Sequence, residues 1–318
     1  MSTPQIHELV SKQILENKNL GAITENKIHQ IIIHTYLNRF ENKNTNRRAK
    51  HPSKLTATDF NKIIEKLITA GVLKETLHNK IFFLPNSLKY NDLELILQLY
   101  PATYVSYLSA MQWYGLTNII PKKSFITIPN RTIWKRLCIE EISSHPANEI
   151  LIKNLDTYPS DSISIILDNP VQFITDSKFS KLNYKPSFLN NGLHFRVKEI
   201  GQLFIDMLDK PNYCGGHQHV IDIYEEYGKL YSRQIIKAAN KYASELTKAR
   251  IGFILEKTLN INHPTLLEWK ASILKNNVRG GSRKLFAEFE FSPYFSSEWN
   301  ISINFKPLEK YGTTNATN

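Results

Sequence analysis

The chain has 318 residues, a formal net charge of +11 and two cysteines, with 42% of residues hydrophobic and 11% aromatic. That composition is globular, leaves room for two domains and excludes a disulfide scaffold. No run reaches the ~18 apolar residues of a spanning helix, and the polar stretch MSTPQIHELVSKQILENK is no signal peptide, so a cytoplasmic protein with no membrane partner is expected.

In chain order, residues 5–17 predict a first helix, with Ile6, Leu9, Val10 and Ile14 on one side. Thr24 caps a second, running to about Phe40 and carrying Ile28, Ile31, Ile32, Tyr36 and Leu37. Residues 41–53 (ENKNTNRRAKHPS) are polar and basic and read as a loop. Residues 54–85 organise what surrounds them. Phe60, Ile63, Ile64, Leu67 and Ile68 follow the i, i+3, i+4, i+7, i+8 spacing of one helical face, while Asn61, Lys62, Glu65, Lys66 and Thr69 occupy the other. Thr58 is the expected cap and Gly71 the stop. A hairpin follows at once, from Val72 to Leu77, turning at His78-Asn79 and returning over Ile81 to Leu84, closed by Pro85.

A short amphipathic helix leading straight into a tight hairpin is the back half of a winged helix-turn-helix, though ordinary α+β packing gives the same pattern. The charge distribution favours the first reading. Residues 1–90 hold 14 Lys/Arg against 7 Asp/Glu, a net +7, whereas residues 91–318 hold 26 against 22. A basic module on a nearly balanced body suits a polyanion. Arg47, Arg48, Lys50 and Lys54 are expected to touch phosphates, with Lys74, His78, Asn79 and Lys80 of the hairpin beside them. Base reading falls to Thr58, Asn61, Lys62 and Lys66, because Asn and Lys offer the hydrogen bonds that major-groove edges require.

Residues 86–91 read as a linker. A helix from Asp92 to about Tyr114 follows, interrupted at Pro101, with a Gly115 stop. Strands are predicted at Ser124–Ile128, Ser162–Leu167 and Val171–Thr175, then a strand-to-helix passage over 193–209 and a turn over 211–216. Helices come at about 217–228, 232–243, 245–258 and 264–276, and strands at Lys284–Phe291 and Trp299–Phe305. The fold class expected is α+β: a winged helix-turn-helix domain over 1–90 and a larger mixed α/β domain over 91–318.

Three stretches resemble chemical motifs. Cys214, His217 and His219, with Asp222 nearby, have metal-compatible spacing, but the intervening Gly pair already serves a turn and no second ligand pair is in view. Glu268-Trp269-Lys270 matches a nuclease E-x-K fragment, yet Leu266, Leu267, Ile273 and Leu274 have helical spacing. Gly280-Gly281-Ser282 lacks a following Asp-x-Asp, and the surrounding Arg279, Arg283 and Lys284 make a second basic patch. No catalytic constellation assembles, so a non-enzyme without metal or cofactor is expected.

Five stretches together resemble the AbiEi family of bacterial type IV antitoxins. They are the hairpin end Ile81-Phe82-Phe83-Leu84-Pro85; Tyr104-Val105-Ser106 through Ser109-Ala110 to Tyr114-Gly115-Leu116; Phe195-Arg196-Val197 leading to Phe204-Ile205-Asp206 and residues 209–216 (DKPNYCGG); residues 250–255 (RIGFIL); and the terminal Trp299 to Asn304. Tyr114 departs from the family's usual His, and the Arg47-Arg48 loop lengthens the front module. The resemblance implies a winged-helix repressor of its own operon, bound to inverted repeats in double-stranded DNA, and a C-terminal domain required for antitoxin activity. It further implies a nucleotidyltransferase-like toxin as functional partner, counteracted without a stable complex. Two alternatives stay open, a stand-alone winged-helix regulator and an antitoxin that binds protein or RNA.

Overall fold

The computed structural model describes residues 4–17, 19–41, 55–78, 80–143, 158–179, 184–188, 194–275 and 283–314. Arg47, Arg48, Lys50, Lys54, Asn79 and Arg279 lie outside the described residues. Helices and sheets are mixed throughout, and two compact units form: residues 1–105 with 122–197, and residues 106–121 with 198–318.

The first unit begins with α1 (Ile6–Glu16), β1 (Ala22–Thr24), α2 (Glu25–Glu41) and α3 (Ala57–Thr69), followed by the hairpin β2 (Lys74–Glu75) and β3 (Ile81–Phe83). Thr24 does cap α2, its Oγ1 accepting the Lys27 amide at 3.3 Å. The three strands form one antiparallel sheet in the order β1-β3-β2. Its first strand was not expected from sequence, because three residues are too few to show a period. Alternation decides where that sheet buries its sides: Ile23 and Phe82 join the core of α1, α2 and α3, while Ala22 and Ile81 point into a second core with Leu95, Tyr100, Ile126 and Trp134. The Gln98 Oε1 accepts the amides of Gly21 (2.7 Å) and Ala22 (3.1 Å), fixing β1 to α4 (Asp92–Leu99). The expected boundary at residue 90 thus lies inside this unit, since both faces of the small sheet are covered from within it.

The rest of the first unit is a five-stranded sheet in the order β6-β5-β4-β8-β7. Its strands are β4 (Tyr104–Val105), β5 (Ser124–Pro129), β6 (Val171–Asp176), β7 (Tyr184–Phe188) and β8 (His194–Lys198), with α6 (Arg131–Ser143) following β5. Arg196 in β8 donates to the carbonyls of Thr103 (2.7 Å), Leu97 (2.5 Å) and Tyr100 (3.1 Å), so a half-buried cation satisfies the open end of α4 and the turn after it. Burial lowers its pKa to about 10.

Several expectations change here. The helix expected to run to Tyr114 stops at Leu99, because β4 intervenes before α5 (Tyr107–Trp113). Residues 161–166 form a 3₁₀ turn, not a strand. Asp161 accepts the Phe173 amide and Ser164 the Val171 amide, so side chains replace the ladder. The unforeseen α6 had a readable signal, as Asn130 Oδ1 accepts the Ile133 amide at 2.9 Å.

In the second unit, α5 is joined by α7 (Ile200–Asp209), α8 (His217–Tyr227), α9 (Ser232–Tyr242), α10 (Glu245–Phe253) and α11 (Pro264–Lys275). A four-stranded sheet takes the order β12-β10-β11-β9, with β9 (Arg283–Lys284), β10 (Tyr294–Ser296), β11 (Ile301–Ser302) and β12 (Thr313–Thr314). The strand expected over 284–291 therefore shrinks to two residues, and that over 299–305 to Ile301–Ser302. After α10 the backbone widens into a π turn over Ile254–Thr258, which presents Glu256 to the indole of Trp299 (2.8 Å) and to Lys270 (2.5 Å). Gly252 lies flat against that indole, where a Cβ has no room.

Candidate nucleic-acid interface

α3 is set by its ends and its stripe. Thr56 is the N-cap, its amide and hydroxyl both donating to Asp59 Oδ2 at 2.7 Å, so the expected cap Thr58 is instead an exposed first-turn residue. Gly71 ends the helix at φ +71°, a conformation that disfavours a side chain. Phe60, Ile63, Ile64 and Leu67 are buried with Val10 and Ile14 of α1 and Ile28 and Ile32 of α2. Beneath this stripe His29 packs on Phe60 at 4.3 Å with neither ring nitrogen hydrogen-bonded among the described residues, and Glu25 is 3.8 Å away. Burial, then the charge of Lys80, lowers its pKa to about 4.

The opposite face of α3 is exposed at Thr58, Asn61, Lys62, Glu65, Lys66 and Thr69. Lys66 Nζ donates to Gln5 Oε1 at 3.3 Å, while Lys62 has no partner among the described residues. Both lysines line an open depression of about 470 Å³ with His7, Tyr36 and Arg39. Sequence reading missed His7 and Arg39. They stand on other helices, and only packing brings them beside α3.

The hairpin presents Lys74 and Lys80 to solvent. Lys80 adopts φ +69° and lies 3.9 Å from Glu25. His78 is half-buried: its Nε2 is 3.3 Å from Ser162 Oγ, and its carbonyl accepts the Thr76 hydroxyl. The structure therefore brings together Asn61, Lys62 and Lys66 on one helix face, and it engages His78 inside the unit.

Within the second unit, Arg283 Nη2 lies 3.4 Å from Glu245, and Lys284 Nζ sits 4.7 Å over the Phe291 ring. Both are half-buried, so these two members of the expected C-terminal patch are occupied by an acid and a ring. The Cys214 thiol is fully buried and its pKa is raised by that burial. His217 is wedged between Phe286 (4.7 Å) and Phe289 (4.5 Å), with Glu288 3.3 Å from its Nε2. His219 Nε2 is buried without a hydrogen-bond partner among the described residues, and Asp222 accepts from Gln218 at 2.7 Å. Among the described residues no three His, Cys, Asp or Glu side chains gather to hold a metal ion. Glu268 and Lys270 are on α11, and Lys270 turns to Glu256 and Glu298.

No family model and no curated protein matches the chain. A solved structure, that of the RV2827C protein from Mycobacterium tuberculosis, aligns with a TM-score of 0.45 at 9% identity, covering 94% of this chain and 92% of that one. Among the described residues no helix is long and apolar enough to cross a membrane.

Proposed function

We propose that this chain is a DNA-binding transcriptional repressor, acting in the cytoplasm on its own operator, whose front module is a winged helix-turn-helix. The observation that carries this reading is the disposition of α3. Its apolar stripe is consumed by α1 and α2, its Asn61/Lys62/Lys66 face is left to solvent, and a two-stranded hairpin follows directly, completed into a sheet by β1. Such a helix can enter a major groove, with Asn61, Lys62 and Lys66 at base edges and the two lysines also within reach of neighbouring phosphates, while Lys74 and Lys80 flank it. The antitoxin role is part of the same proposal and rests on the AbiEi-like stretches, whose Arg196, Asp209 and Arg250 all serve as internal anchors in their own units.

The test is a mobility-shift titration on DNA from upstream of the chain's own gene. The Lys62→Ala/Lys66→Ala double variant is expected to weaken binding and to lower the salt slope by about 1 to 2, at roughly 0.9 per lost phosphate contact. Equal binding by parent and double variant refutes α3 as the contacting helix. Relief of toxicity on co-expression with a neighbouring nucleotidyltransferase-like gene tests the antitoxin role, and growth arrest unchanged by the chain refutes it.

A further inference from the structure

In the second unit, α9 has one face inside and one face that is wholly cationic. Ile235, Ile236, Ala238 and Ala239 are buried, and Gly201 of α7 leaves Gln234 and Ala238 the room to pack closely. Asn240 accepts the Trp269 indole at 3.2 Å, which fixes α9 to α11. On the other side Arg233, Lys237 and Lys241 are exposed at i, i+4 and i+8, and Lys229 is exposed in the turn before the helix. Half-buried Lys248 of α10 adds a further cation, its Nζ 5.8 Å over the same Trp269 ring.

Helix stability does not explain this stripe. Like charges at i, i+4 repel, and a cation in the first turn, where Arg233 stands, opposes the helix dipole. Among the described residues none of Lys229, Arg233, Lys237 and Lys241 has a carboxylate partner. The acids exposed on neighbouring helices, Glu225, Glu226 and Glu268, make no ion pair with them. The cations of the stripe are therefore uncompensated from within, and they suit an extended external anion.

The surroundings say which anion. A membrane-surface helix needs an apolar face to insert, and that of α9 is consumed inside the unit. Protein interfaces have apolar or aromatic centres and few lysines, the reverse of this face. Single strands need open rings for stacking, but Tyr242 beside the stripe carries Lys241 over its ring at 4.9 Å. Cations stepping by about 6 Å along a straight helix suit the regular phosphates of a duplex, and lysine meets these as a point charge.

We propose that the Arg233/Lys237/Lys241 stripe is a second DNA contact, gripping the phosphate backbone of duplex DNA without reading its sequence. It stands apart from the reading of α3, none of whose residues it uses.

The test is an anisotropy titration of the full chain on a labelled duplex of arbitrary sequence, repeated from about 50 to about 200 mM salt. Arg233→Gln/Lys237→Gln is expected to lower the salt slope by about 2, at roughly 0.9 per lost phosphate contact. Arg233→Lys/Lys237→Arg, which keeps both charges, should retain the parent's slope. Lys306→Gln/Lys310→Gln removes the same charge from another exposed part of the unit and should change the slope by less than about 0.5. An unchanged slope in Arg233→Gln/Lys237→Gln overturns the proposal, and so does an equal loss in the Lys306/Lys310 variant. Loss of binding to phosphatidylserine vesicles with the duplex slope intact overturns it too, in favour of a membrane. The two DNA readings fail separately. Lys62→Ala/Lys66→Ala without effect on operator DNA removes α3 and leaves the stripe, whereas an unchanged slope in Arg233→Gln/Lys237→Gln removes only the stripe.

Discussion

Lys62 and Lys198 carry the same side chain into opposite surroundings. On α3 the lysine projects into solvent from a helix whose buried work is done by Phe60 and Leu67. At the start of the second unit Lys198 is 8% exposed, its Nζ lies 3.1 Å from Asp206, and its carbonyl accepts the Tyr114 hydroxyl at 2.9 Å. The first lysine is free to serve something outside the protein, and the second is committed to the protein itself. Charge alone tells a reader nothing about this difference. Solvation does, because a buried ammonium must be paired whereas an exposed one need not be.

The sharpest way to break the comparison is to neutralise one lysine of each kind. Lys198→Met leaves the Asp206 carboxylate without its cation in a site where its side chain is only 19% exposed, and is expected to cost about 3–5 kcal/mol in denaturant unfolding. A loss under about 1 kcal/mol would mean that the pair is solvated after all.

A second prediction concerns pH. The folded state depresses the pKa of His29 from 6.5 to about 4, so below 6.5 the unfolded chain binds the proton first. Stability is therefore full above pH 6.5 and falls as pH drops toward 4, by up to about 3 kcal/mol. Thermal unfolding across that window checks it, and His29→Leu should flatten the slope. If the variant keeps the parent's slope, another group is responsible.

Removing the cap tests whether α3 is held by its own ends or by packing. Thr56→Ala should cost about 1 kcal/mol by loss of the capping box. An unchanged midpoint would assign the helix wholly to its buried stripe. The smallest effect is expected for Lys62→Ala/Lys66→Ala, within about 0.5 kcal/mol of the parent in stability, although the same variant should lose operator affinity. Destabilisation beyond that range would show that this face is structural, and the contrast with Lys198 would disappear.

Legibility followed the length of the signal. The 3.6-residue spacing over residues 60–68 gave α3 and its buried face, and strand-to-helix patterning gave β8 and α7. Short or side-chain-made elements were missed. β1 has three residues, β4 has two, and the turn over 161–166 is held by Asp161 and Ser164, not by a repeating pattern. At the candidate interface, Asn61, Lys62 and Lys66 could be named in advance, while His7 and Arg39 could not, since they approach α3 only through packing. Cys214, His217 and His219 show the converse. Adjacent in sequence, they are separated in environment, with one in the core, one among phenylalanines and one against a glycine.

By itself the sequence determined which faces of its longer helices are apolar, that the basic excess lies in the first 90 residues, and that a hairpin follows α3. Those are local properties, written in spacing and composition, and they survive any arrangement of the rest. Only the tertiary structure decided that the small sheet is buried on both sides, that Arg196 closes the end of α4, and that Lys198 is sealed beside Asp206. These outcomes depend on partners distant in the chain, and no local pattern says which polar groups will lose their water.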